Sequence, residues 1–163
     1  MDIVKRYEHG EFFSADSIKQ NEDEVYKTKG GRTVYGGGGI MPDIFVAQDT
    51  TGYSQYYSDV VRKSLINKYS FKYVDTNRTA LAKYKTYAGI VEYLDADNVM
   101  SKFYDYASKN GVKRDNRLSA PARRQMRTAV YGNIIYDALD MEDYIAFINE
   151  TDPTILKAIE TLK

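Results

Sequence analysis

Cysteine is absent from this 163-residue chain, which excludes disulfides, thiolate metal sites and cysteine nucleophiles together. A chain without thiols suits a reducing cytoplasm and a bacterial envelope equally, so composition leaves the compartment open. Tryptophan is missing, prolines number three, and His9 is the only histidine. One imidazole beside Glu8 and Glu11 falls short of the convergent ligand set of a zinc ion and reads as a solvated side chain. Net charge is lacking as well: 23 Lys and Arg balance 23 Asp and Glu, so no field of one sign draws in nucleic acid or anionic lipid. No stretch approaches the roughly 18 consecutive apolar residues of a membrane span. Met1 to Lys5 leads into no apolar core of the kind a signal peptide carries.

What is present suits one compact domain with an appendage, since 43% of residues are hydrophobic and 28% charged. Sixteen tyrosines stand out. Each ring buries a large area while keeping a polar tip in water, so tyrosine builds core and amphipathic surface alike and is weak support for a sugar or peptide platform.

The most distinctive stretch runs from Gly31 to Val46, with four consecutive glycines, Gly36 to Gly39, between β-branched and aromatic runs. Four in a row are tolerated where positive φ or close backbone approach is required. A phosphate-cradling loop would need Gly-Lys-Ser/Thr and then a helix, whereas Ile40-Met41-Pro42 and a strand-like run follow. Val25 to Thr28 and Arg32 to Tyr35 alternate about Gly30-Gly31, which predicts a type I′ hairpin, and Ile44-Phe45-Val46 reads as a short buried strand. Residues 1 to 23 show no stable period and read as a loose arm, anchored if anywhere at Phe12-Phe13.

The run Tyr26-Lys-Thr-Lys-Gly-Gly-Arg-Thr-Val-Tyr-Gly-Gly-Gly-Gly-Ile-Met-Pro-Asp43 resembles the Y-x-T-x-x-G-R-x-V-Y-G-G-G-G-I-x-P-D segment that closes the catalytic domain of carboxyl-terminal processing (tail-specific) serine peptidases, in the form carried by Bacteroidetes-like proteins. Tyr7 to Ile18 and the helical tail resemble the same group. The motif residues are Gly31, Arg32, Tyr35, Gly36, Gly37, Gly38, Gly39, Ile40, Pro42 and Asp43. The resemblance implies a hydrolase with a Ser-Lys dyad and a PDZ domain upstream of the glycines, on the periplasmic side of the cell envelope. Only 35 residues precede Gly36, too few for either part. The chain is therefore expected to be the non-catalytic C-terminal region of such a peptidase, or a stand-alone relative without the catalytic half. Its implied partners are the catalytic and PDZ regions, unfolded or tagged protein substrates reached through them, and a second copy of the chain.

Helical periodicity governs the rest. Asp49 to Gly52 offers cap oxygens before a helix carrying Tyr53, Tyr57, Val60, Val61, Leu65 and Tyr69. Phe71 to Val74 extends it, Asp75 is placed to cap a further short helix to Lys83, and Gly89 breaks the pattern, leaving Ile90 to Leu94 undecided between strand and helix. Asp95 reads as the cap of a helix presenting Val99, Phe103, Tyr106 and Ala107, stopped by Asn110-Gly111. Ser119 and Pro121 open a longer helix to about Leu139, and Asp140 to Asn149 continues the pattern. Asp152-Pro153 starts a last helix with Ile155, Leu156 and Ile159 inward. The expected fold is mainly α: an N-terminal arm and β segment over residues 1–48, resembling the end of a peptidase sheet, and a helical bundle over 49–163.

Other constellations are weak. Ser64 and Lys68 lie one helical turn apart but on a polar, hydrated face, without the desolvation that a lysine base needs. Asp95-Ala96-Asp97-Asn98 lacks the glycine and distal glutamate of a calcium loop and reads as helix capping. Lys113, Arg114, Arg117, Arg123, Arg124 and Arg127 form a basic stretch, and Asp137, Asp140, Glu142, Asp143, Glu150 and Asp152 an acidic one. Such neighbours are expected to complement each other or a second subunit rather than nucleic acid. No catalytic, cofactor-binding or metal-ligating residue is assigned.

Overall fold

The computed structural model describes residues 3–18, 23–36 and 43–163. The chain divides into two compact units, Met1–Asp49 and Thr50–Lys163.

The first unit starts with a short helix, α1 (Ile3–Glu8), and a 3₁₀ turn at Ala15–Ser17. This is a correction to the loose arm expected there, and its cause is local. The Tyr7 ring packs edge-on against Phe13 at 5.3 Å between centroids, and the Arg6 guanidinium donates to the buried Glu11 carboxylate at 2.8 Å. Next come β1 (Val25–Lys27) and β2 (Thr33–Tyr35), antiparallel, with Val25 opposite Tyr35 and Lys27 opposite Thr33. The turn departs from type I′. Thr28 N–H donates to Arg32 O, Gly31 N–H donates to Thr28 O, and of the two glycines only Gly31 has positive φ (+81°). That pattern is a three-residue loop whose last residue is left-handed, the bulged hairpin form, so Gly31 is the position that requires glycine. Ile44-Phe45-Val46 forms no strand and is exposed to half-buried. Among the described residues no third strand pairs with the hairpin.

The second unit is a helical bundle: α2 (Gln55–Arg62), α3 (Leu65–Leu81), α4 (Tyr87–Ala96), α5 (Val99–Lys109), α6 (Ala120–Ala138), α7 (Met141–Asn149) and α8 (Pro153–Thr161). Helix α3 lies against α6 as the principal packed pair, α7 covers another side of α6, and α4 bridges α5, α6 and α7. Val60, Ile90, Leu94, Val99, Phe103, Met126, Val130 and Ile134 are fully enclosed. Burial of such side chains stabilises by about 1.5–3 kcal/mol each.

The caps explain most boundaries. Ser119 Oγ accepts from Ala122 N, Asp140 from Glu142 N and Asp143 N, and Asp152 from Thr154 N and Ile155 N. Gly111, at φ +80°, ends α5 as expected. Five boundaries differ from expectation. Ser54, not the Asp49–Gly52 run, caps α2, accepting from Tyr57 N at 3.1 Å. The chain turns left-handed at Ser64 (φ 55°), which separates α2 from α3, and α3 then continues past Asp75 to Leu81 with a non-helical step at Asn77. Gly89 sits inside α4, where an added Cβ would meet the Tyr84 ring at 2.9 Å, so this glycine serves packing and does not stop the helix. Asn98, left-handed at φ 54°, starts α5 in place of Asp95. Helix α8 buries none of its residues: Ile155, Leu156 and Ile159 are exposed instead of facing inward.

Candidate functional site

The hairpin positions the described part of the glycine motif. Its loop holds Gly31 and directs the Arg32 guanidinium onto Asp43, with Nη1 at 3.2 Å from Oδ2 and Nη2 on Oδ1. This two-toothed ion pair joins two motif residues eleven apart in the chain. Both side chains are exposed, so solvent screening keeps its contribution to stability small. Gly36 donates its N–H to Glu24 O at 2.7 Å, and a Cβ there would meet the Tyr26 ring at 3.0 Å. Tyr35 closes the strand pair opposite Val25. Gly37, Gly38, Gly39, Ile40 and Pro42 lie outside the described residues.

Ser64 and Lys68 do not form a dyad. The Lys68 ammonium donates to the Lys63 carbonyl at 3.2 Å, and both side chains are exposed. The basic and acidic stretches do not complement each other within the chain. Among the described residues no ion pair joins 113–127 to 137–152. Arg127 instead grips Asp95 at 2.8 and 3.1 Å, and Asp143 accepts from Tyr87 N.

Asp95 and Asp97, read from sequence as helix caps, are instead engaged by side chains of other helices. Each lies between one buried tyrosine hydroxyl and one cation. Tyr131 donates to Asp95 at 2.8 Å, and Arg127, which holds the other side of that carboxylate, also lies over the Tyr131 ring at 4.4 Å. Tyr73 donates to Asp97 Oδ2 at 2.6 Å and Lys102 reaches Oδ1 at 2.5 Å. Positions two apart on a helix point about 200° apart, so the two carboxylates at the end of α4 meet different neighbours, Asp95 on α6 and Asp97 on α3 and α5.

The Asp97 cluster lies in a hollow of about 390 Å³ between α3, the α4–α5 junction and α5. Its walls are tyrosine. Tyr69 and Tyr73 stack at 5.9 Å with 26° between their planes, and Tyr106 leans on Tyr69 at 5.4 Å. Its rim carries Lys72, Thr76, Asn77 and Lys102. Burial pushes the Tyr73 hydroxyl pKa far up, and the hydrogen bond to the charged Asp97 adds to it, so Tyr73 stays a proton donor and is no base. Burial and then the Asp97 charge move Tyr69 to about 12. For Asp97, burial acts upward but is outweighed by the hydrogen bonds from Lys102 and Tyr73, which hold it below its ordinary 3.8.

The sequence model of a family of unknown function, DUF8443, matches residues 56–140, just over half the chain and wholly within the helical unit. The chain belongs to the DUF8443 family. The matched stretch holds every residue of the tyrosine-walled hollow and both engaged aspartates, and the glycine motif lies outside it. No curated protein and no solved structure matches the chain. Among the described residues no helix of this DUF8443 member is long and apolar enough to cross a membrane. Sequence reasoning missed the hollow because its residues are spread over some forty positions. The one local signal was the pair of aspartates two apart, beside an asparagine that turns left-handed.

Proposed function

We propose that this chain is the non-catalytic C-terminal region of a tail-specific serine endopeptidase on the periplasmic side of a cell envelope. Its first unit supplies the closing strands of the peptidase sheet, and its helical unit is an appended bundle that supports assembly or substrate access. The observation that carries this reading is the hairpin. All six residues of β1 and β2 are exposed, Val25, Tyr26, Val34 and Tyr35 among them, and the pair bears the motif ion pair Arg32–Asp43. Two strands with no covered face are marginal in water, and their open edges and apolar side chains suit addition to a larger sheet.

The test is complementation. A tail-specific peptidase cut just before its own glycine motif and fused to residues 1–48 of this chain should regain hydrolysis of denatured casein. A soluble fusion that stays inactive contradicts the proposal. The chain alone should leave casein intact, and proteolysis by it that disappears in Ser64→Ala would also contradict it.

A second reading, an autonomous helical interaction module, draws on one observation: the family match and the closed core both lie within the helical unit. An inactive fusion, together with a partner that binds the full chain through α2 to α8, favours that reading.

A further inference from the structure

We propose that the hollow between α3 and α5 binds a small organic anion, a carboxylate carried on an aromatic or apolar body. The geometry offers the body a place. The volume, about 390 Å³, falls in the range of small-ligand pockets, roughly 300–1,000 Å³, and the rings of Tyr69, Tyr73 and Tyr106 wall it.

The polar groups select the charge. Asp97 is not free to receive a cation, because Tyr73 occupies one oxygen and Lys102 the other. The Lys72 ammonium has no hydrogen bond or ion pair among the described residues, and Lys102 spends one of its three protons on Asp97. Two ammonium groups against one carboxylate leave one net positive charge on the lining. The charged donors are the ammonium groups of Lys72 and Lys102, and the other polar lining groups, the Thr76 hydroxyl and the Asn77 amide, are neutral. A ligand that satisfies this lining is an acceptor with negative charge, and a carboxylate bridging Lys72 and Lys102 makes charge-assisted bonds.

The fold holds the lining in place. Asn77 departs from helical geometry near the C-terminal end of α3 and donates its side-chain amide to Tyr73 O at 2.8 Å, and left-handed Asn98 follows Asp97 directly. Both departures border this hollow.

Titration of the isotope-labelled full chain with phenylacetate, 2-phenylethanol and 2-phenylethylamine, which share one body and differ in charge, tests the proposal by amide NMR. Phenylacetate should saturate, with shifts concentrated over residues 69–77 and 97–106, and the alcohol and the amine should bind about tenfold more weakly or worse. Lys72→Met, at an exposed position, should weaken phenylacetate about tenfold without altering the melting temperature. Asp97→Asn, checked for native helicity, should bind phenylacetate at least as tightly. No saturable phenylacetate binding, equal or tighter binding of the amine, shifts centred elsewhere, or indifference to Lys72→Met overturns the proposal.

Discussion

At the residue scale, the buried tyrosine hydroxyls include two that donate to a carboxylate, Tyr73 and Tyr131, and one with no partner among the described residues, Tyr56, and the two kinds should respond oppositely to removal. Tyr73→Phe takes from Asp97 a donor held at 2.6 Å in a part-buried site, and bonds to charged groups contribute about 1.5–3 kcal/mol. A loss of about that size in urea unfolding is expected. Tyr56 is buried against Tyr104, and its hydroxyl has no partner among the described residues. Tyr56→Phe removes an unsatisfied polar atom and should leave stability unchanged or raise it by up to about 1 kcal/mol. The same tyrosines set the alkaline limit. Burial raises Tyr56 and Tyr69 from 10.0 to about 12 and moves Tyr73 and Tyr131 up as well, so the folded state holds these protons more tightly than the unfolded chain does. Their contribution is complete below pH 10 and is lost as pH rises through the raised folded values, which for Tyr56 and Tyr69 are about 12. Denaturant midpoints should therefore be flat from pH 8 to 10 and fall steeply beyond, in step with tyrosinate absorbance. Asp97, lowered, acts at the other end: its contribution is present above 3.8 and is lost as pH falls through its folded value. None of this pairing was legible in sequence. An Asp-x-Asp before a helix has the composition of a cap, and only the fold brings Tyr73 and Tyr131 from α3 and α6 onto it.

At the element scale, legibility follows how local the cause is. The starts of α6 and α8 and the end of α5 were readable because Ser119-Ala-Pro, Asp152-Pro153 and Asn110-Gly111 act through their own backbone neighbours. The α2–α3 break at Ser64 and the helical Gly89 were not, because their causes are distant in the chain. Lys63 reaches across to the Asn110 and Gly111 carbonyls at 3.2 Å, and Tyr84 folds over Gly89. The inward face expected of α8 failed for a similar reason: an apolar stripe reports a face to be covered, not that this chain covers it. Gly132 in α6 is another such position, where an added Cβ would meet the Tyr144 ring of α7 at 2.9 Å. Gly132→Val should push α7 off α6 and cost about 1–3 kcal/mol in unfolding free energy, as overpacked sites do, despite valine's better helix propensity. A melting temperature equal to the parent's would show that the contact yields.

At the scale of the molecule, the two units differ in what they contain. Residues 50–163 enclose a continuous core of buried side chains from Tyr56 to Phe147, whereas the hairpin buries none of its six strand residues. Mainly helical architecture with a small N-terminal hairpin was readable from periodicity and from Gly30-Gly31, and the number of strands around the hairpin was not, since a strand pattern is silent about its partners. The central claim is that the hairpin is the unfinished edge of a larger sheet. Amide hydrogen exchange of the full chain in isolation tests it directly. The amides of Val25–Lys27 and Thr33–Tyr35 should exchange at close to unprotected rates while those of α3 and α6 open only with global unfolding. Hairpin amides as protected as those of α3 and α6 would mean that the two strands are already complete, and would contradict the account.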